Sequence, residues 1–220
     1  MTAAAPARGS RDWAWVGVAA AVLGIVATWA VQFVYSSDDI DAGGQQLLDA
    51  IDSSSNEALY RVTSGLGYIA VACLIWFAIG LRRLLEERRP GTLMPNIMSA
   101  SMIATAGALI VAFSLRAQVF DGIDAYGGDP AVHVTINRLQ QDTVLSAWAG
   151  LGAATAAAAW GSFREGILPR WLGWLSALVT VLIAVLVLVG LAFPANIPAL
   201  IWLLVMAVWA TRQAPVGARS

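Results

Sequence analysis

The chain has 220 residues, of which 59% are hydrophobic and 12% charged, with a formal net charge of −1; soluble domains carry about twice that share of charge. A mean hydropathy of +0.70 exceeds what the interior of a soluble protein this size can hide, so the expected solvent is a lipid bilayer. The charge balance excludes a nucleic-acid-binding face, the single Cys73 excludes an internal disulfide, and the lack of lysine and the lone His133 exclude a Schiff base and a multi-histidine metal or haem site, so no cofactor is expected.

In chain order, the first apolar run is 13–35, too long for the apolar part of a signal peptide and without a clear cleavage site, so a retained span is expected. An outer loop over 36–61 follows. It is acidic at Asp38, Asp39 and Asp41, and it places Leu47, Leu48 and Ile51 on one face of a short amphipathic helix. Ser54-Ser55-Asn56-Glu57 is a capping box that starts the second helix near Ser54. Its span is 62–81, it continues through Arg82–Arg89, and Pro90-Gly91 stops it.

The third span is 97–115, followed by a second outer loop over 116–142. Within that loop Asp129-Pro130 reads as an N-cap with proline at the first helical position, so the fourth helix starts well before its span at 143–163. The fifth span is 171–193. The sixth, 197–211, rises only about 22 Å unless residues 194–196 extend it. The expected fold is an all-α, polytopic transmembrane bundle of six spans in a single domain.

Arginines orient it. With both termini cytoplasmic, Arg8, Arg11, Arg82, Arg83, Arg88, Arg89, Arg164, Arg170, Arg212 and Arg219 lie inside, and only Arg61, Arg116 and Arg138 lie outside. Trp13, Trp15, Trp160, Trp171, Trp174 and Trp209 then fall at the inner interface, and Tyr35, Tyr60 and Phe120 at the outer one. Two rows of small residues, Ala100/Ala104/Ala108 and Gly150/Ala154/Ala158, predict close packing of the third and fourth spans at the centre. The fifth span should face lipid.

The middles of the spans hold no Asp, Glu, Lys, Arg or His, which argues against a proton-coupled pump or a voltage sensor. Polar residues gather instead at the outer helix ends. Arg116 is the leading candidate, with Gln118 beside it, Asp142 at the end of the fourth span, Arg61 at the end of the second, and His133 on the protruding helix. An arginine there would grip a phosphate or carboxylate headgroup; the alternative is a snorkelling side chain or an interhelical ion pair. Glu57 and Arg61, four apart, read as a helical ion pair. His133 and Asp142 are the pair an enzyme would use. Tyr68, Ser64, Gln32 and Thr105 would line a polar cavity or bond between helices, and Trp29 and Trp148 would stack a ligand or simply pack.

Gly166-Ile167-Leu168-Pro169-Arg170-Trp171-Leu172-Gly173-Trp174 resembles the inner-loop motif of an uncharacterised bacterial family of six-span integral membrane proteins, a domain of unknown function. The layout is similar as well: a polar outer stretch after span one, an arginine-rich inner loop after span two, and the Leu-Pro-Arg-Trp-Leu-Gly turn before span five. The resemblance implies a multi-pass protein of the bacterial plasma membrane and carries no activity or site residues. The leading expectation is a non-enzymatic accessory, sensory or lipid- or amphiphile-binding bundle with an outward-facing polar vestibule. A small oligomeric transporter or channel comes next, then a lipid-acting enzyme. Expected partners are membrane lipid and a second copy or another membrane protein, with no nucleic acid.

Overall fold

The computed structural model describes residues 12–33, 54–125, 130–191 and 193–213. Among them every regular element is helical: α1 (Asp12–Trp29), α2 (Ser54–Arg88), α3 (Met94–Ala125), α4 (Pro130–Ala147), α5 (Leu151–Trp160), α6 (Arg170–Leu188) and α7 (Asn196–Thr211). A 3-10 segment, Trp148–Gly150, joins α4 to α5, and a π turn, Gly161–Glu165, ends α5. Five stretches are long and apolar enough to cross a bilayer: Asp12–Trp29, Glu57–Arg88, Met94–Val119, Val134–Glu165 and Arg170–Leu188. The 16 residues of α7 rise only about 24 Å. The chain is thus an all-helical, membrane-embedded protein.

Helix ends fall where local chemistry puts them. The second helix begins at Ser54, the first residue of the capping box, and stops at Arg88, two residues before Pro90. Gly91 then takes a left-handed φ of 85° that an L side chain resists. The fourth helix begins at Pro130. Asp129 and the loop 36–53, with its expected amphipathic segment and acidic cluster, lie outside the described residues.

In the bundle α1 lies between α2 and α7, while α3 contacts α2, α4 and α5, and α5 contacts α6. The fourth apolar stretch is the most enclosed of the five, with 56% of its window buried, and the fifth the least, with 28%. Leu178, Val181 and Leu188 of α6 point outward, so this helix faces lipid as expected.

The seam between α1 and α2 is closed by aromatic rings seated on glycines. Phe77 of α2 covers Gly17 so closely that a Cβ there would enter the ring, and Trp13 of α1 covers Gly80 of α2 in the same way. The two rings stack with centroids 6.0 Å apart. Without water to drive association, such van der Waals contact is what holds membrane helices together.

The small-residue rows require a correction. Ala100, Ala104 and Ala108 of α3 are exposed; the row that meets α5 is Ser101 and Thr105. Ser101 Oγ donates to the Gly150 carbonyl at 2.7 Å and accepts from the Ala154 N–H at 3.0 Å. Those two groups form one i, i+4 rung of a helix. The contact falls at the first rung of α5, immediately after the 3-10 segment Trp148–Gly150. The composition of a lipid-solvated helix cannot distinguish these rows, because alanine suits either face.

The Leu-Pro-Arg-Trp-Leu-Gly turn has a physical explanation at each position. Gly166 adopts a left-handed φ of 66° to end the π turn. Ile167 and Leu168 bury themselves, and Pro169 precedes the first residue of α6 in extended conformation. Trp171 and Trp174 face outward, at 54% and 69% exposure, as interfacial residues should. Gly173 leaves room for Ser162, whose hydroxyl reaches the Leu168 and Pro169 carbonyls at 3.2 Å each.

Candidate functional site

At the end of the bundle where α1 and α3 terminate, a group of polar side chains is buried. Arg116 is the one fully buried charged side chain among the described residues, with no exposed surface. Its position in α3 follows from helical spacing: Thr105, Leu109, Ala112 and Phe113 line the same buried face one to three turns earlier. Snorkelling, one of the two ordinary readings of this arginine, does not occur. The side chain turns inward.

The environment is arranged around the guanidinium. Nη1 donates to the Ala27 carbonyl in the last turn of α1, where carbonyls lack helical partners and the helix dipole carries roughly half a negative charge. Nε donates to Gln140 Oε1 at 3.1 Å, and the Phe113 ring lies below, 5.2 Å from Cζ to the centroid. Burying a charge is expensive unless it is hydrogen-bonded, and this set provides two acceptors and a ring face. Arg116 therefore caps α1 from a neighbouring helix.

Donor-only arginine also orients the amides beyond it. Because Gln140 must present Oε1 to Arg116, its Nε2 faces Asn137 and donates to Oδ1 at 3.1 Å. The Tyr60 hydroxyl makes a longer contact with the same Oδ1, at 3.5 Å. The Asn137 amide nitrogen is left as the terminal donor. Asn137 is fully buried, and its Nδ2 has no hydrogen-bond partner among the described residues. One layer deeper, Trp148 Nε1 donates to Thr28 Oγ1 at 3.0 Å, and the indole packs on Gly24 of α1.

The four candidates whose side chains are described do not converge. Arg116 lies within the cluster. Gln118 and Asp142 are exposed, and Arg61 is exposed and pairs with Glu57 at 2.6 Å, as the spacing predicts. His133 lies on α4, and its side chain is outside the described residues. Tyr60, expected at the interface, is instead fully buried beside Asn137. Of the residues weighed for a cavity, Tyr68 bonds Ser114 at 3.0 Å on an exposed face, and Trp148 packs in the core. Gln140 was missed altogether, although Asn137, Gln140, Val144 and Trp148 repeat at three- and four-residue intervals, the period of one helix face.

The lower bundle is apolar. Leu74, Phe77, Leu81, Met98, Met102, Trp202 and Met206 fill it. Among the described residues no cluster of His, Cys, Asp and Glu is suited to a metal ion. Comparison of the chain with family models, with curated proteins and with solved structures finds no match.

Proposed function

We propose that the chain is a non-enzymatic, six-span protein of a bacterial plasma membrane, with both termini cytoplasmic, that holds the polar head of a lipid or related amphiphile at the outer end of the bundle. The arginine distribution supports the orientation. The 3-10 turn Phe193–Ala195 leads directly into α7 and lengthens it to about 30 Å, the thickness of the hydrocarbon. The Leu-Pro-Arg-Trp-Leu-Gly turn supports kinship with the six-span family it resembles.

The observation that carries the functional reading is the Asn137 amide. A buried donor left unmade costs about 1–3 kcal/mol, and the group beside it is a guanidinium relayed through Gln140. A phosphate, carboxylate or ester oxygen is the complement of such a lining. The packed apolar layer beneath favours a blind site over a path through the membrane.

The test is Asn137→Asp. Aspartate keeps an oxygen for Gln140 and Tyr60 but replaces the terminal donor by an acceptor, and it supplies a carboxylate near Arg116. The variant is expected to fold with thermal stability equal to or above that of the parent. Amphiphile co-purifying with it, measured by native mass spectrometry, should fall about tenfold, the value of one hydrogen bond to a charged group. Retention at the parental level would end this reading.

A further inference from the structure

A second site lies at the opposite end of the bundle, between α5 and α6. The two helices meet through the Thr155 and Thr180 hydroxyls, 2.7 Å apart. Alongside that contact the facing side chains are small: Ala156 and Ala159 on α5, Ala177 on α6. They leave a groove of about 440 Å³, within the size range of small-ligand sites. Its hydrogen-bonding capacity is already committed, because Thr180 Oγ1 also donates to the Ser176 carbonyl at 2.7 Å. What the walls offer an occupant is hydrocarbon.

The end of the groove differs from its walls. The π turn at Gly161–Glu165 widens the last turn of α5 and sets Phe163 edge-on against Trp174, with centroids 5.0 Å apart. Beside them Arg164 places its guanidinium over the exposed Trp160 ring, 5.4 Å from the centroid. Arg164 borders the groove and is itself exposed. Arg170 begins α6 at the far side of the same turn, and Arg89 donates to the Glu165 carbonyl. Three arginines against the one glutamate leave this turn with a net positive charge.

An apolar trough with a cation stacked on an aromatic ring at one end matches a particular molecular shape. We propose that this groove binds a single anionic phospholipid, with an acyl chain lying along Ala156, Ala159 and Ala177 and its phosphate on Arg164. Charge complementarity selects a lipid over a second helix, which would bring no anion to the turn and would meet the protruding Trp160 and Phe163 rings. The arginine-based orientation places the lipid in the cytoplasmic leaflet, whose anionic headgroups attract basic segments by about 1 kcal/mol per arginine. The lipid class does not depend on that orientation, and the site is independent of Asn137.

The experiment uses the full chain in phosphatidylcholine nanodiscs carrying a minor share of phosphatidylglycerol, with bound lipid counted by native mass spectrometry. Parent protein should retain phosphatidylglycerol in preference to phosphatidylcholine. Arg164→Gln should lower that preference about fivefold, and Arg212→Gln, at the end of α7 away from the groove, should leave it unchanged. Ala156→Phe, at an exposed position that tolerates the larger ring, should displace the lipid outright while leaving thermal unfolding unaltered. Asn137→Asp should leave this lipid in place, which separates the two sites. Equal losses for Arg164→Gln and Arg212→Gln would reduce the effect to surface charge and overturn the proposal. So would an undiminished lipid count in Ala156→Phe, or disulfide-linked dimers formed through Ala156→Cys in the membrane, which would assign the groove to a second copy of the chain.

Discussion

The seam between α1 and α2 and the seam between α5 and α6 solve the same problem in opposite ways. Both bring small residues of one helix against the other. In the first, Phe77 and Trp13 are seated on Gly17 and Gly80, and the rings fill the space that the glycines open. In the second, alanine faces alanine, a threonine pair holds the helices together, and a groove of about 440 Å³ lies beside them. Small residues by themselves therefore do not create a tight interface. They create room, and the side chain opposite decides whether the protein or the bilayer fills it.

Breaking the closed seam should have the largest effect. A Cβ on Gly17 would overlap the Phe77 ring, which is fully buried and has little space into which to move. Gly17→Val is expected to destabilise the fold by about 3 kcal/mol, the upper part of the ordinary range for overpacking. Adding Phe77→Ala should recover part of that loss, and a double-mutant cycle on unfolding free energies in detergent measures the coupling. Additive effects of the two substitutions would show that the ring and the glycine do not depend on each other.

An intermediate effect is expected where α5 meets α3. There the contact is a hydroxyl bonded to both groups of one helix rung, and without it the Gly150 carbonyl and the Ala154 N–H still have each other as helical partners. Ser101→Ala should therefore cost only about 0.6–1 kcal/mol, far below the loss at Gly17, and the same unfolding measurement decides it. A loss as large as that at Gly17 would mean that the 3-10 break is needed to hold Trp148 against Thr28.

These contacts also show which features a sequence carries and which it does not. Ser54, Pro130 and Pro90-Gly91 mark helix ends because capping and proline chemistry act within a few residues, and the helices begin and stop there. Lipid exposure of the fifth span was legible because a run of Val, Leu and Ile has no other good environment. The facing of α3 was not. In lipid, polarity no longer separates inside from outside, so Ala100/Ala104/Ala108 and Ser101/Thr105 look alike as seams. Arg116 is legible as a residue and its partner is not, because that partner is the carbonyl end of α1, 89 positions away, and a backbone acceptor leaves no mark in composition. Asn137 is legible at helical spacing from His133 on the protruding helix, and Gln140 leaves a mark in its spacing from Asn137 and Trp148 that the more conspicuous His133 and Asp142 overshadow.

The smallest effect belongs to the open seam itself. Thr180→Val preserves the shape of the side chain and removes its bonds to Thr155 and to the Ser176 carbonyl. Thr155 keeps its own bond to the Gly152 carbonyl at 2.8 Å, so the one remaining hydroxyl is not left stranded. The expected cost is about 0.6 kcal/mol or less, the average for a hydrogen bond between membrane helices. Because valine leaves the groove wall unchanged in shape and no less apolar, phosphatidylglycerol should be retained as in the parent. If Thr180→Val sheds lipid as completely as Ala156→Phe, the groove recognises its occupant through a hydroxyl rather than through shape and the Arg164 charge. The contrast between a seam filled by rings and one filled by lipid would then have to be redrawn around that hydrogen bond.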